Sequence, residues 1–480
     1  MPESVLYQIL ALNTSCCYYH NMTGPTEEPT GRQLFINGKF VPSSNRKVSE
    51  LTSPCTNEKV AEIYEANEVD VDAAVAAASV AFPAWRDVSP ADRGVFLRKM
   101  ASLIQVHEEE FAHLEALSTG KPVSRYIDSR MAIETFNYFA EAGWTAQGSS
   151  SRNTPGHLNI TVKEPYGVVA AIIPWNVPLA SFATKIAPAV AAGNTIVLKS
   201  SEKSPLTIGL GAKLIAEAGF PPGVVNMLHK YGPTTGNAIA SHMDVRCISF
   251  TGSSLTGRKI QAAAAKSNMK TVHMDLGGKT PALIFEDAGL ESAAEQTQFS
   301  VQFSSGQTCI ANSRIYVQET VADKFLAIFK DKFGAAILGN PLNKATDQGS
   351  QADRIQYERN GNFIKPTVFE EVPEESQIMK EEVFGPVVVI NTFGKEDEAI
   401  AKANHSEFSL YASVFTKNID RAMRVSKLLE AGTVGVNCTS PSMAKDMPFG
   451  GWKGSGIGRE VYLHSMDSYL ETKSILIKTS

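Results

Sequence analysis

Five short segments carry residue types able to do chemistry. Ser304-Ser305-Gly306-Gln307-Thr308-Cys309-Ile310-Ala311-Asn312-Ser313-Arg314 sets a cysteine among polar and small neighbours, unlike the apolar run around an inert core thiol. Pro174-Trp175-Asn176 offers a side-chain amide that could donate to a developing oxyanion. Asp275-Leu276-Gly277-Gly278-Lys279 presents a carboxylate on a glycine-rich turn. Lys199-Ser200-Ser201-Glu202 supplies a carboxylate that would hold a ribose hydroxyl pair and repel a 2′-phosphate. Phe250-Thr251-Gly252-Ser253-Ser254-Leu255-Thr256-Gly257 opens a helix with free N–H groups suited to a pyrophosphate, although it lacks G-x-G-x-x-G. Each segment also has an ordinary reading: a core cysteine, a turn asparagine bonding its own backbone, a helix-capping aspartate, surface charges, a plain strand–helix turn. The histidines, cysteines and carboxylates show no ligand spacing, so no metal site is expected.

The elements that position these segments alternate. Apolar strands over 168–173, 195–198, 224–228, 247–250 and 271–274 alternate with helices over 178–192, 205–218 and 234–242 and a helix from Thr256. That order predicts βαβ units and a buried parallel sheet, with ligands beyond the carboxyl ends of its strands. Ahead of it, Asn37-Gly38 between apolar pairs predicts a hairpin over 34–41. A helix opens at Asp70, and a long one runs from Ser89-Pro90 to Gly120. Alternation in Leu158, Ile160 and Val162 predicts a half-exposed strand.

The 480 residues suit two large domains or three smaller ones; 43% are hydrophobic and 20% charged. With 45 Lys and Arg against 50 Asp and Glu, the net charge of −5 gives no sign of a nucleic-acid partner. No apolar run is long enough for a membrane span. Six cysteines without a C-x-x-C pair suggest a reducing, cytoplasmic setting. Residues 1–32, rich in Thr, Pro, Gly and Glu toward their end, read as a disordered tail.

Taken in order, PWNVPL, GNTIVLKSSEKSPL, ISFTGS, DLGGK, GQTCIANSR, KEEVFGP and PFGGWKGSGIGRE resemble the aldehyde dehydrogenase superfamily from about Leu34 to Lys478. The resemblance implies an α/β architecture with a Rossmann-like parallel-sheet NAD-binding domain (33–146 and 168–277), an α/β catalytic domain (278–465) and a small β oligomerisation arm (147–167 and 466–480). It implies oxidation of an aldehyde to the acid with NAD, NADP binding more weakly, in a homodimer or homotetramer. Cys309 is then the nucleophile, Asn176 the oxyanion donor, Asp275 the base and Glu471 a carboxylate relaying protons. Ile172, Pro174, Trp175, Lys199, Glu202, Gly232, Phe250, Ser253, Gly277, Gln356, Glu382 and Phe384 form the cofactor bed. Val177, Ser181, Thr184, Met443 and Phe449 form the substrate wall.

The chain departs from the family pattern in three places. The base is usually a glutamate; Asp275 is one methylene shorter, about 1.5 Å. About two dozen residues, enough for a helix and a strand, are missing near 359–361. The substrate wall is lean, which points to bulky or polar aldehydes. The first two departures leave open a second expectation, a catalytically impaired relative that binds dinucleotide or serves as a structural oligomer partner.

Overall fold

The computed structural model describes residues 32–229, 231–353 and 361–479. The tail before residue 32, Gln356 and most of the shortened segment lie outside the described residues.

Five apolar segments, buried along almost their whole length, form the parallel core of the first lobe: β1 (Val168–Ile172), β2 (Thr195–Ser200), β3 (Val225–His229), β4 (Cys247–Thr251) and β5 (Thr271–Asp275). Their order is β3-β2-β1-β4-β5. The strand order reverses between β1 and β4, and a ligand crevice opens at such a point. Apolar clusters cover both faces, because helices pack on each side of the sheet. The Asn37-Gly38 hairpin forms as predicted, with both residues at positive φ, and pairs with the β3 edge through Phe35 and Met227.

The β5 edge is closed by Gly456–Ile457, antiparallel to Met274 and Asp275. This corrects the expected domain boundary: part of 278–465 returns to the first lobe. An open edge strand is a liability, and Gly456, at φ 147 with no room for a Cβ against the Met274 carbonyl, lets the returning chain close it. The long helix expected from Pro90 to Gly120 is two, Pro90–Val106 and Glu108–Thr119. His107 leaves helical geometry (φ −102, ψ 17), and Glu108, Glu109 and Glu110 then favour a new helix N-terminus. The helix expected over 234–242 is a wide turn, Gly232–Gly236, followed by the short helix Asn237–Ser241.

The second lobe is a six-stranded parallel sheet: β6 (Pro281–Ile284), β7 (Arg314–Gln318), β8 (Thr367–Glu370), β9 (Val387–Phe393), β10 (Tyr411–Phe415) and β11 (Thr433–Val436), in the order β8-β9-β7-β6-β10-β11. A third sheet joins His157–Pro165 to Leu470–Lys478 along their full length, with Ser150–Ser151 on the outer side. No helix among the described residues is long and apolar enough to cross a membrane.

Candidate active site

Register brings the strand ends together. Ile172 pairs with both Lys199 and Phe250, so Pro174-Trp175-Asn176, Lys199 to Glu202 and the Phe250 turn leave the sheet side by side. Lys199 is buried and donates to the Ser200 carbonyl at 2.8 Å. Burial lowers its pKa to about 8, against the pull of the Glu202 carboxylate. Ser253 caps the helix Ser254–Lys266, its hydroxyl accepting from the Thr256 N–H at 3.3 Å. Gly252 leaves no space for a Cβ, which would lie 2.6 Å from the Phe250 ring. Gly232 borders open space beyond β3.

The second lobe contributes an aromatic wall. Phe384 sits at φ 55, a strained backbone for a bulky residue, and its ring meets Trp175 edge-on at 5.6 Å. The Lys203 ammonium lies 4.8 Å from the centre of the Trp175 ring. Glu382 accepts from the Gly278 N–H at 3.0 Å, and a Cβ on Gly277 would lie 2.5 Å from its carboxylate. Burial raises the Glu382 pKa to about 7, opposed by that N–H and by Lys279. A helix N-terminus, a lysine–carboxylate pair and an aromatic wall along one crevice fit a dinucleotide.

The thiol lies at the inner end. Ser304, Ser305 and Gly306 are successively left-handed (φ 51, 57 and 75), and Gly306 packs so closely on Gly385 that a Cβ would collide. The Asn176 amide donates to the Gln307 carbonyl at 2.8 Å, tying the cysteine loop to the end of β1. An asparagine amide has two N–H donors, so one remains for a ligand. Gly278 lies against the Cys309 carbonyl with no room for a Cβ. Burial, with Asp275 and Glu382 nearby, pushes the Cys309 thiol well above its usual pKa, while its own and the Ile310 N–H groups oppose this. Asp275 is buried, its Oδ1 has no hydrogen-bond partner among the described residues, and its pKa rises to about 7. Burial is the main cause; Glu460 adds to it and Lys185 opposes.

Glu471 does not join this cluster. It lies on an arm strand, exposed and paired with Arg246 at 3.3 Å. The carboxylates that meet Asp275 electrostatically are Glu460, ion-paired with the buried Lys185, and more weakly Glu382. Both were missed in the sequence, yet signals existed: Glu460 ends the GSGIGRE segment, and Lys185 interrupts an otherwise apolar helix, Pro178–Ala191.

Met443 and Phe449 share an apolar cluster with Cys309, Ile310, Leu410, Tyr411 and Val461. Tyr411 fills this wall and donates to the Ser442 carbonyl at 3.1 Å. Val177, Ser181 and Thr184 follow Asn176, at the entry and on the first two turns of the helix Pro178–Ala191. Thr184 donates its hydroxyl hydrogen back to the Ser181 carbonyl at 3.2 Å, so at rest its oxygen can only accept.

A nucleotide crevice that ends at a half-buried thiol fits a dinucleotide-dependent oxidoreductase. A family model described as the aldehyde dehydrogenase family matches residues 40–360 and 356–475. An aldehyde dehydrogenase of Davidiella tassiana is 41% identical over 95% of this chain and 97% of its own length. Retinal dehydrogenase 2 of Homo sapiens is 40% identical over 100% of this chain and 98% of its own. The solved NAD+ complex of an aldehyde dehydrogenase from Bacillus cereus is 38% identical, covers 93% of this chain and 96% of that chain, and superposes with a TM-score of 0.91. The chain belongs to the aldehyde dehydrogenase family and is an NAD(P)-dependent aldehyde dehydrogenase. The family match breaks at 356–360, and the alignment with the human relative runs to 511 positions against 480 residues here. Relative to that protein the chain lacks about thirty residues in total, and the split in the family match falls at the shortened segment.

Proposed function

We propose that the enzyme oxidises its aldehyde through a covalent adduct on Cys309 and prefers NAD to NADP. The observation that carries this reading is the position of Cys309, between the loop tied down by Asn176, the Asp275 turn and the apolar cluster of Met443 and Phe449. The raised thiol pKa means that sulfur attack needs a base, and Asp275, with a pKa near 7, is matched to that task. As sulfur adds to the carbonyl carbon, the free Asn176 N–H and the Cys309 backbone N–H stabilise the oxyanion. NAD, when bound, supplies the hydride acceptor that leaves a thioester on the cysteine. Lys199 and Glu202 would hold its adenosine ribose, the Ser253 turn its pyrophosphate, and Glu382 with Phe384 its nicotinamide end. The Glu202 carboxylate would repel a 2′-phosphate. Once it has released the thiol proton, Asp275 takes a proton from the water that hydrolyses the thioester.

The short Asp275 carboxylate supports slow hydrolysis, so NADH should appear in a burst before a slower steady state. NADH absorbance, followed with NAD and a panel running from acetaldehyde to a large aromatic aldehyde, tests the reading beside Cys309→Ala. The expected result is a preference for the larger aldehydes and no NADH from the variant. NADH formation by Cys309→Ala at the parent rate would overturn it.

A further inference from the structure

A polar chamber, formed by the side chains around His273 and Asp275, adjoins the end of β5. Ser249 on β4 pairs with His273 on β5, and Thr251 pairs with Asp275. Side chains two residues apart on a strand share a face, so His273 and Asp275 point the same way. The Ser249 hydroxyl donates to Glu460 at 3.1 Å, and Lys185 completes the ion pair from the helix side. The Gly458 backbone rests on the imidazole, where a Cβ would lie 2.7 Å from Nδ1. Tyr469 and the Ser468 carbonyl face the chamber from the C-terminal segment. Among the described residues, Asp275 Oδ1 and both ring nitrogens of His273 are buried without a hydrogen-bond partner, while the Tyr469 hydroxyl interacts with the Ser249 side chain. The Ser468 carbonyl favours a charged ring without closing a bond. Neighbouring buried polar atoms without partners are the setting for ordered water.

We infer that His273 is a positioning residue for the reaction, taking up through this chamber the proton that Asp275 collects from the Cys309 thiol, so that the carboxylate is free for thioester hydrolysis. The inference rests on the thioester reading above. After acylation Asp275 holds the thiol proton, which must leave before the carboxylate can act on water, and a neutral ring nitrogen of His273 receives it on the way to solvent. Water then adds its oxygen to the carbonyl carbon and gives a proton to Asp275. The carbon–sulfur bond breaks, sulfur leaves with the bonding pair and takes that proton back from Asp275 as the Cys309 thiol, and the acid departs. Burial lowers the His273 pKa, against Glu460 and with Lys185, which keeps the ring neutral near pH 7, so that it passes a proton on rather than keeping it. His273 touches no reacting atom and acts only through Asp275.

Rapid-mixing and steady-state kinetics of the full chain with NAD and one aldehyde test this on His273→Asn and His273→Ala. The expected result is an NADH burst of parent size with a steady-state rate at least about ten-fold lower, the low side of a general acid–base contribution. The acid limb of the pH profile should move, and free imidazole should restore rate to His273→Ala. An unchanged steady-state rate in both variants would overturn the inference. So would a slower rate with an unaltered pH profile and no imidazole rescue, or loss of the burst in both variants, since a group that only receives protons leaves acylation intact. NADH formation by Cys309→Ala would instead remove the thioester reading itself, which keeps the two failures distinct.

Discussion

Asp275 combines the two demands on a general base, placement and protonation. Displacement of a reacting group by about 1 Å costs up to ~10²-fold. Asp275→Glu, which restores the missing methylene, should therefore raise the steady-state rate about ten-fold or more and shrink the NADH burst; stopped-flow traces of both enzymes check this. The pKa of about 7 also sets a pH dependence, because only the carboxylate accepts a proton: hydrolysis should fall as pH drops through 7. The same shift acts on stability with a defined sign. A carboxyl whose pKa is higher folded than unfolded supports the fold fully below the unfolded value, near 4, and loses that support as pH rises toward 7. Asp275→Asn should stop hydrolysis yet stabilise the protein by about 1–3 kcal/mol at pH 8, with little gain near pH 4. Thermal melts at the two pH values read this directly. Most of the single residues were legible because each stood in a contiguous run: Asn176 and Glu202 follow strand ends, Lys199 is the next-to-last residue of β2, and Cys309 lies in the loop before β7. Glu460 was not, because only the antiparallel return of Gly456–Ile457 carries it to β5, and no local periodicity encodes that pairing.

At the scale of elements, caps and glycines account for what could be read. Asn67 forms a capping box with Asp70, Ser89 and Ser253 cap their helices, and Gly120 and Gly219 end theirs at φ 79 and 87. These are short-range signals, and the ends they mark appear where expected, although the stretch from Ser89 to Gly120 breaks into two helices at His107. The cysteine loop is different. Its three left-handed residues are held by contacts with the Gly385 turn and Asn176, partners far away in sequence. Ser304 and Ser305 give no sign of such backbone, since left-handed geometry normally selects glycine. Gly306 is the point where this loop and the Phe384 turn touch. Gly306→Ala would force a Cβ into the Gly385 backbone at a φ of 75 that alanine disfavours. It should cost about 2 kcal/mol or more of stability. The burst should go as well, because the shift displaces Cys309 and Phe384 together. A chemical-unfolding curve and a burst measurement on one preparation check both effects. Loss of stability with an intact burst would mean that the two loops are not coupled.

Across the whole molecule, the least self-sufficient part is the arm. Its sheet aligns Leu158 with Ile477 and Ile160 with Ile475, two apolar cross-strand pairs on one face. Ile475 and Ile477 remain 37% and 42% exposed, and Leu476 on the opposite face is 69% exposed. Three strands without a covering layer bury too little to be stable alone. The arm is anchored at its base, where Tyr469 and Leu470 enter the first-lobe core and Glu471 meets Arg246, but its outer half has no apolar cover among the described residues. A second copy of the chain is the cover that suits it, since symmetric self-association is the common solution for such a face. The double substitution Ile475→Asp and Ile477→Asp places two charges where that contact would bury them, each at a cost of several kcal/mol. Light scattering behind a sizing column should show the parent as a dimer or tetramer and the variant as a smaller species. The NADH burst per chain should change little at protein concentrations where the variant stays folded, because Cys309, Asn176 and Asp275 all belong to one chain and lie far from these strands in the fold. A variant of unchanged size would place the assembly surface elsewhere on the molecule. A variant of smaller size that also lost its burst would show that association holds the crevice in shape, and would tie the arm to catalysis through β4, whose first residue follows Arg246.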